Sequence, residues 1–167
     1  HEPSRRQRQM CIRDSPTPDG KFMIFWMEDA WPASSLKFTK IDSEGNIEIG
    51  WNPNGNSLSN PSFDSRNLTV KSVADESGVL AIWTQDGNFS DIYAQMISWD
   101  GEALWNEGGI AVSEADNDQV NFSFEFNESK THALVTWEDY RNGTDFEIFG
   151  EVIDLESGSS NIQDIQF

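Results

Sequence analysis

Cysteine is almost absent from this chain of 167 residues: Cys11 stands alone, which excludes an internal disulfide framework and a thiolate metal site. Histidine is nearly as rare. Beyond the first residue only His132 is present, so no pair of imidazoles exists to hold a metal, and a Ser-His-Asp triad would depend on that one ring. Basic residues number eleven against twenty-nine Asp and Glu, and four of the eleven fall in the first fifteen positions. Beyond residue 15 the net charge is −20, which would repel nucleic acid and anionic membrane surfaces. No apolar run approaches the roughly 18 residues that would span a bilayer as a helix.

The first fifteen residues, HEPSRRQRQMCIRDS, share no pattern with the remainder. Their MCIRDS stretch resembles the translated end of a sequencing-library adapter. Residues 1–15 are therefore expected to be a non-native or disordered arm, and the chain an excerpt of a longer protein. Five Asn-x-Ser/Thr sequons, at Asn67, Asn88, Asn121, Asn127 and Asn142, are attributed to a composition rich in Asn and Ser.

What is present is repetition. WNPNGNSLS (51–59) returns as WNEGGIAVS (105–113), 54 positions later. Upstream of these phrases FTKIDSEG, AQMISWDG and GEVIDLESG align, with Ile41, Ile97 and Ile153 in register. Further upstream KFMIFW, VLAIW and HALVTW align on Trp26, Trp83 and Trp137. The period is about 55 residues, too long for a single supersecondary motif and typical of a repeated sheet unit.

Within one period, turn residues cut four short segments rich in β-branched and aromatic residues, which predicts four antiparallel strands. QVNFSFEFN alternates apolar and polar residues, as a strand with one dry face does. FMIFW and VLAIW are apolar on both faces, as in a strand between two layers. The expected fold is all-β: about three four-stranded antiparallel blades of a β-propeller, forming an open ring. The boundaries read 16–66 for a first repeat lacking its first strand, 67–118 for a second, and 119–167 for a truncated third. Trp51 and Trp105 are expected to seal the gaps between adjacent blades.

Two stretches carry a family resemblance. WEDYRNGTDFEIFGEVID (137–154) and DIYAQMISWDGEALWNEGGIAVS (91–113) resemble the W-x-D-x-R-x-G-x-x-D-I-Y-x-Q and D-G-x-x-x-W repeats of large secreted or surface bacterial proteins, many of which carry type IX secretion sorting domains. The resemblance implies a secreted or cell-surface location and the remaining blades of the same chain as partners. The first copy departs from the pattern, with EDAWPASSLKFTK in place of the Arg and D-I-Y-x-Q elements; the third has Glu147-Ile-Phe-Gly-Glu151.

Function is expected in the loops between second and third strands, which vary in content while the hairpin turns stay short. Candidate ligand-binding residues are Asp29, Trp31, Asp86, Asn88, Asp139, Arg141 and Asn142; Trp31 is singled out because it has no counterpart in the other copies. Asp139 with Asp145 is the candidate cation pair, for calcium if any cofactor is bound. The competing role for these two acids is to hold the turn and pair with Arg141. The expected role is a non-catalytic extracellular scaffold that displays acidic loops to a carbohydrate, a protein or a cation. The alternative is a fragment of a propeller-type, glycosidase-like hydrolase. Against it stand the lack of an Asp-box, the presence of only Arg66 and Arg141 beyond residue 15, and the absence of a G-x-S-x-G elbow.

Overall fold

The computed structural model describes residues 13–29, 33–73, 77–160 and 165–166. Among these the chain forms strands and no helix, and so no helix long and apolar enough to cross a membrane. The strands make three antiparallel sheets, each a meander in chain order. The first joins β1 (Arg13–Pro16), β2 (Phe22–Glu28), β3 (Ser35–Ile41) and the two-residue β4 (Asn56–Ser57). In the second are β5 (Asp64–Ser72), β6 (Val79–Asp86), β7 (Ser90–Ile97) and β8 (Ile110–Ser113). The third has β9 (Gln119–Phe126), β10 (His132–Asp139) and β11 (Glu147–Asp154), with only Ile165–Gln166 (β12) as its fourth strand. The sheets do not close into a ring.

The middle sheet is covered on both sides, and its sequence requires it. Side chains alternate across a strand, so Val79, Ala81 and Trp83 of β6 point one way and Leu80 and Ile82 the other. The first group joins Met23, Phe25, Leu36 and Phe38 of the first sheet in one core. Leu80 and Ile82 join Val135, Trp137 and Phe149 of the third sheet in a second core. All of β6 from Val79 to Gln85 is buried. The outer sheets each keep one open face: β2 leaves Phe22 38 % exposed, and the third sheet leaves Leu134 and Ile148 at 39 and 43 %. FMIFW is thus apolar on both faces, as expected, but only one of those faces is covered here.

Trp26, Trp83 and Trp137 occupy matching places. Each lies on the face of its sheet that looks back toward the preceding one. Trp83 and Trp137 are fully buried there, and Trp26, with no sheet before it among the described residues, is half-buried. Burying such an indole contributes about 2–3 kcal/mol. Opposite Trp83 and Trp137 the first strand of the sheet carries a bulge, two residues facing one: Asn67 and Leu68 in β5, Asn121 and Phe122 in β9. Asn67 and Asn121 adopt φ of 55° and 52°, a left-handed conformation that Asn tolerates better than most residues. Their amides then bond back across the sheet, to Thr84 Oγ1 at 2.9 Å and Glu138 Oε2 at 2.8 Å. Two of the five sequons are therefore bulge positions.

Three boundaries differ from the sequence reading. The first sheet does not lack its first strand, because Arg13–Pro16 pairs with β2 from Arg13↔Phe25 to Pro16↔Phe22. The free edge of β2 needs backbone partners, and four extended residues supply them almost regardless of side chain; Arg13–Ser15, placed by the sequence in the arm, therefore belong to the sheet. The second sheet starts at Asp64 and not at 67, since the Asn67 bulge interrupts β5 without ending it. The strands β6 and β7 run to Asp86 and from Ser90, so QDGNFS is a three-residue hairpin loop and not a long one.

Candidate binding loops between the sheets

The loops joining β2 to β3 and β6 to β7 are each tied by a carboxylate to the chain that enters the next sheet, whereas the loop joining β10 to β11 is held from within. Ser34 N donates to Asp64 Oδ1 at 2.6 Å, and Ser90 N donates to Asp118 Oδ1 at 3.0 Å. Asp64 and Asp118 stand 54 positions apart, each at the entry to the next sheet. A second tie accompanies the first: Ser34 Oγ donates to Asp29 at 3.2 Å and Ser90 Oγ to Asp86 at 2.6 Å. Asp86 also takes the Arg66 guanidinium at 2.9 Å. Asp29 and Asp86 thus brace loops, while Asn88 is exposed at the tip of the β6–β7 turn. Trp31 lies outside the described residues.

In the β10–β11 loop Asp139 is completely buried, and every lone-pair direction of its carboxylate is used. Oδ1 accepts from Arg141 N at 2.8 Å and Arg141 Nε at 2.9 Å; Oδ2 accepts from Trp137 Nε1 at 2.8 Å and Arg141 Nη2 at 2.7 Å. Burial works to raise this carboxyl, but the bonds from Arg141 and Trp137 outweigh it and hold it below the ordinary carboxylate range. The guanidinium in turn lies 3.8 Å over the Phe149 ring. Asp139 therefore has no oxygen to offer a cation. Asp145 is exposed and does not hold the turn. Asn142 does, its Oδ1 accepting from Thr144 N at 2.8 Å and Asp145 N at 3.0 Å. Among the described residues no three His, Cys, Asp or Glu side chains converge in a way that fits a metal ion.

A different acidic group emerges at the second sheet. Asp91 is pushed up to about 6, first by burial and then by repulsion from Glu114, Asp118 and Asp86. Glu114 accepts a hydrogen bond from the Tyr93 hydroxyl, which contributes, after burial, to raising the phenol above its usual range. Glu114 and Asp118 escaped the sequence reading; the 54-residue offset between Asp64 and Asp118 was the available signal. Also missed were exposed aromatic rings: Phe89 and Phe146 on these loops, and Phe63 in the connection just before β5. Phe146 lies 5.0 Å from Tyr140, ring centre to ring centre.

The hairpin ends of the second and third sheets border an open pocket of about 680 Å³. It is lined by apolar Val73, Met96, Leu104 and Leu155 and by polar Lys130 and His132. The His132 Nδ1 lies 2.9 Å from Thr131 Oγ1, and its Nε2 lies 3.6 Å from Asp154. His132 is thus a pocket-lining residue, not merely a strand-edge one.

Compared with known proteins, the chain matches no family model, no curated protein and no solved structure. The geometry of the loops and sheets has to carry any functional reading alone.

Proposed function

We propose that the chain is a non-catalytic frame of β-propeller type, three blades in an open run, which presents its loop face to a carbohydrate or a protein surface. The observation that carries this is the use made of the loop's charged groups. Asp139 and Arg141 neutralise one another, Asp86 holds Arg66 and Ser90, and Asp64 and Asp118 fasten the β2–β3 and β6–β7 loops to the next sheet. Groups spent on bracing are not free to act as acid, base or nucleophile. What the loops and the connection before β5 offer outward is apolar and amide: Phe63, Phe89, Phe146, Asn88 and Asn142. Aromatic faces edged by amides and carboxylates suit sugar rings or an apolar protein patch. In this reading the protein is exported or surface-attached in a bacterium, as the repeat resemblance implies, and the other blades belong to the same polypeptide.

Glycan-array binding by the full chain tests the platform. Phe89→Ala and Phe146→Ala are expected to lower a positive signal at least tenfold, with Trp31→Ala included as a third variant; a signal unchanged in all three removes the platform. Calcium has no place in the reading. Melting curves in calcium, against sodium at matched ionic strength, are expected to coincide, and a rise in Tm that saturates with calcium would overturn that.

A second reading, a glycosidase-like hydrolase, rests on Asp91. A carboxyl pushed up to about 6 among other carboxylates is the kind of group an acid catalyst needs. Hydrolysis of aryl glycosides by the full chain, lost in Asp91→Asn, would favour it over the frame.

A further inference from the structure

The hairpin turns after β3, β7 and β11 are built alike. Asp42 N, Ser98 N and Asp154 N each bond across the turn at 2.9 Å, and Gly45, Gly101 and Gly158 follow with φ of 88°, 86° and 68°. Two of these three glycines are covered by an indole from the preceding sheet's connection. A Cβ on Gly101 would lie 2.5 Å from Trp51 Cη2, and one on Gly158 would lie 2.8 Å from Trp105 Cδ2. Only glycine lets the indole lie so close to the backbone. At Gly45 the same Cβ would meet nothing within 4 Å among the described residues.

The surroundings of Gly45 differ from those of Gly101 in the same sense. Val79 and Ile97, beside Gly101, are fully buried, whereas their counterparts Phe22 and Ile41, beside Gly45, are not. Trp26 is likewise more open than Trp83. A row of apolar side chains and a bare glycine turn therefore occur together on the outer face of the first sheet, in the arrangement that elsewhere in the molecule receives a tryptophan.

We infer that this face is a docking site for a tryptophan-bearing turn, of the Trp-Asn type seen at Trp51 and Trp105, carried by an antiparallel sheet of the same design. The inference rests on the stacked-sheet reading above and adds the residue that receives the partner. A second copy of this chain is not the occupant, because Trp51 and Trp105 are already engaged and residues 159–163, at the corresponding offset, contain no Trp. Shape selects the occupant, through an indole packed directly against a glycine.

The test uses the full chain labelled with ¹⁵N and two probes, N-acetyltryptophanamide and the capped nonapeptide WNEGGIAVS. The expected result is saturable amide shifts at Gly45, Ile41 and Phe22, stronger for the nonapeptide and abolished when its Trp is replaced by Ala. Gly45→Asn tolerates the left-handed backbone and places a side chain in the slot; it is expected to weaken binding at least tenfold. Gly20→Asn, at another open positive-φ turn, is expected to leave binding unchanged. No saturable shift at Gly45, or equal binding by Gly45→Asn, overturns the inference. Shifts at Gly45 that appear on concentrating the chain alone overturn it in favour of a second copy. Trp51→Ala separates the inference from the reading beneath it. If Gly101 and Ile97 shift on loss of Trp51 while Gly45 ignores the probes, the stacked sheets stand and the slot falls; if none of them shifts, both fall.

Discussion

The second and third sheets place equivalent strands around equivalent loops, yet only one of the two loops is locked from inside. In the third sheet Trp137, Asp139, Arg141 and Phe149 form a closed set: indole to carboxylate, carboxylate to guanidinium, guanidinium over ring. In the second sheet the same places hold Trp83, Gln85, Gly87 and Tyr93. The Trp83 Nε1 and the Gln85 Oε1 are both buried and both without a hydrogen-bond partner among the described residues. The second loop is held from outside, by Arg66, Asp86 and Ser90. The pairing of the flanking strands is thus shared while the length of the loop and the means of holding it are not. A longer loop, with seven residues between β10 and β11 against three between β6 and β7, needs the stronger fastening.

Asp139→Ala is the sharpest way to break this comparison. It strips the Arg141 guanidinium and the Trp137 indole of their acceptor inside a dry site, and removing one member of a buried ion pair costs about 3–5 kcal/mol. Urea denaturation is expected to show that loss, and the corresponding change at the second sheet, Asp86→Ala, less than about 1 kcal/mol, because the Asp86–Arg66 pair is partly exposed. Equal losses would mean that the two loops are fastened equally well.

The tryptophans and the four-strand punctuation were legible in the sequence because burial between layers demands apolar residues at fixed intervals. Trp26, Trp83 and Trp137 could be placed from spacing alone. The Asp139–Arg141 pair was visible as a candidate turn lock, yet which of Asp139 and Asp145 did the holding was not, since a carboxylate two residues from an arginine reads the same whether buried or exposed. The bulges at Asn67 and Asn121 were hidden behind their sequons. Strand β1 was hidden by its composition, because pairing at a sheet edge draws on backbone groups common to every residue. The carboxylates around Asp91 come from two strands and one connection, and only the fold brings them together.

Acid titration sharpens the comparison from the other side. Asp91 faces Gln85 across β6 and β7, in the sheet without the internal lock. Its carboxyl titrates near 6, above the unfolded value, so the folded chain holds this proton more tightly than the unfolded one. Its contribution is full below about pH 4 and is lost as pH rises through 6. Asp139 has the opposite sign: its carboxyl lies below the ordinary range, so its contribution is present at neutral pH and is lost as pH falls through the depressed value. Asp91→Asn is expected to raise stability at pH 7 by on the order of 1 kcal/mol, after allowance for solvent screening. It should also flatten the pH profile between 4 and 6. A profile that keeps its slope in Asp91→Asn assigns the proton elsewhere.

The smallest effect is expected at Gln85. Its buried Oε1 has no donor in the second sheet, and Gln85→Leu removes that polar atom at similar side-chain volume. A change within about 1 kcal/mol, neutral or stabilising, is the outcome for a group that contributes no bond. A loss of about 2 kcal/mol or more would mean that Gln85 is satisfied in solution and that the second loop has an internal fastening after all. Gln85→Leu measured beside Asp139→Ala therefore compares the same strand position in two sheets. A wide gap between the two costs locates the lock in the carboxylate and its guanidinium, whereas similar costs would locate it in the strand geometry that both sheets share.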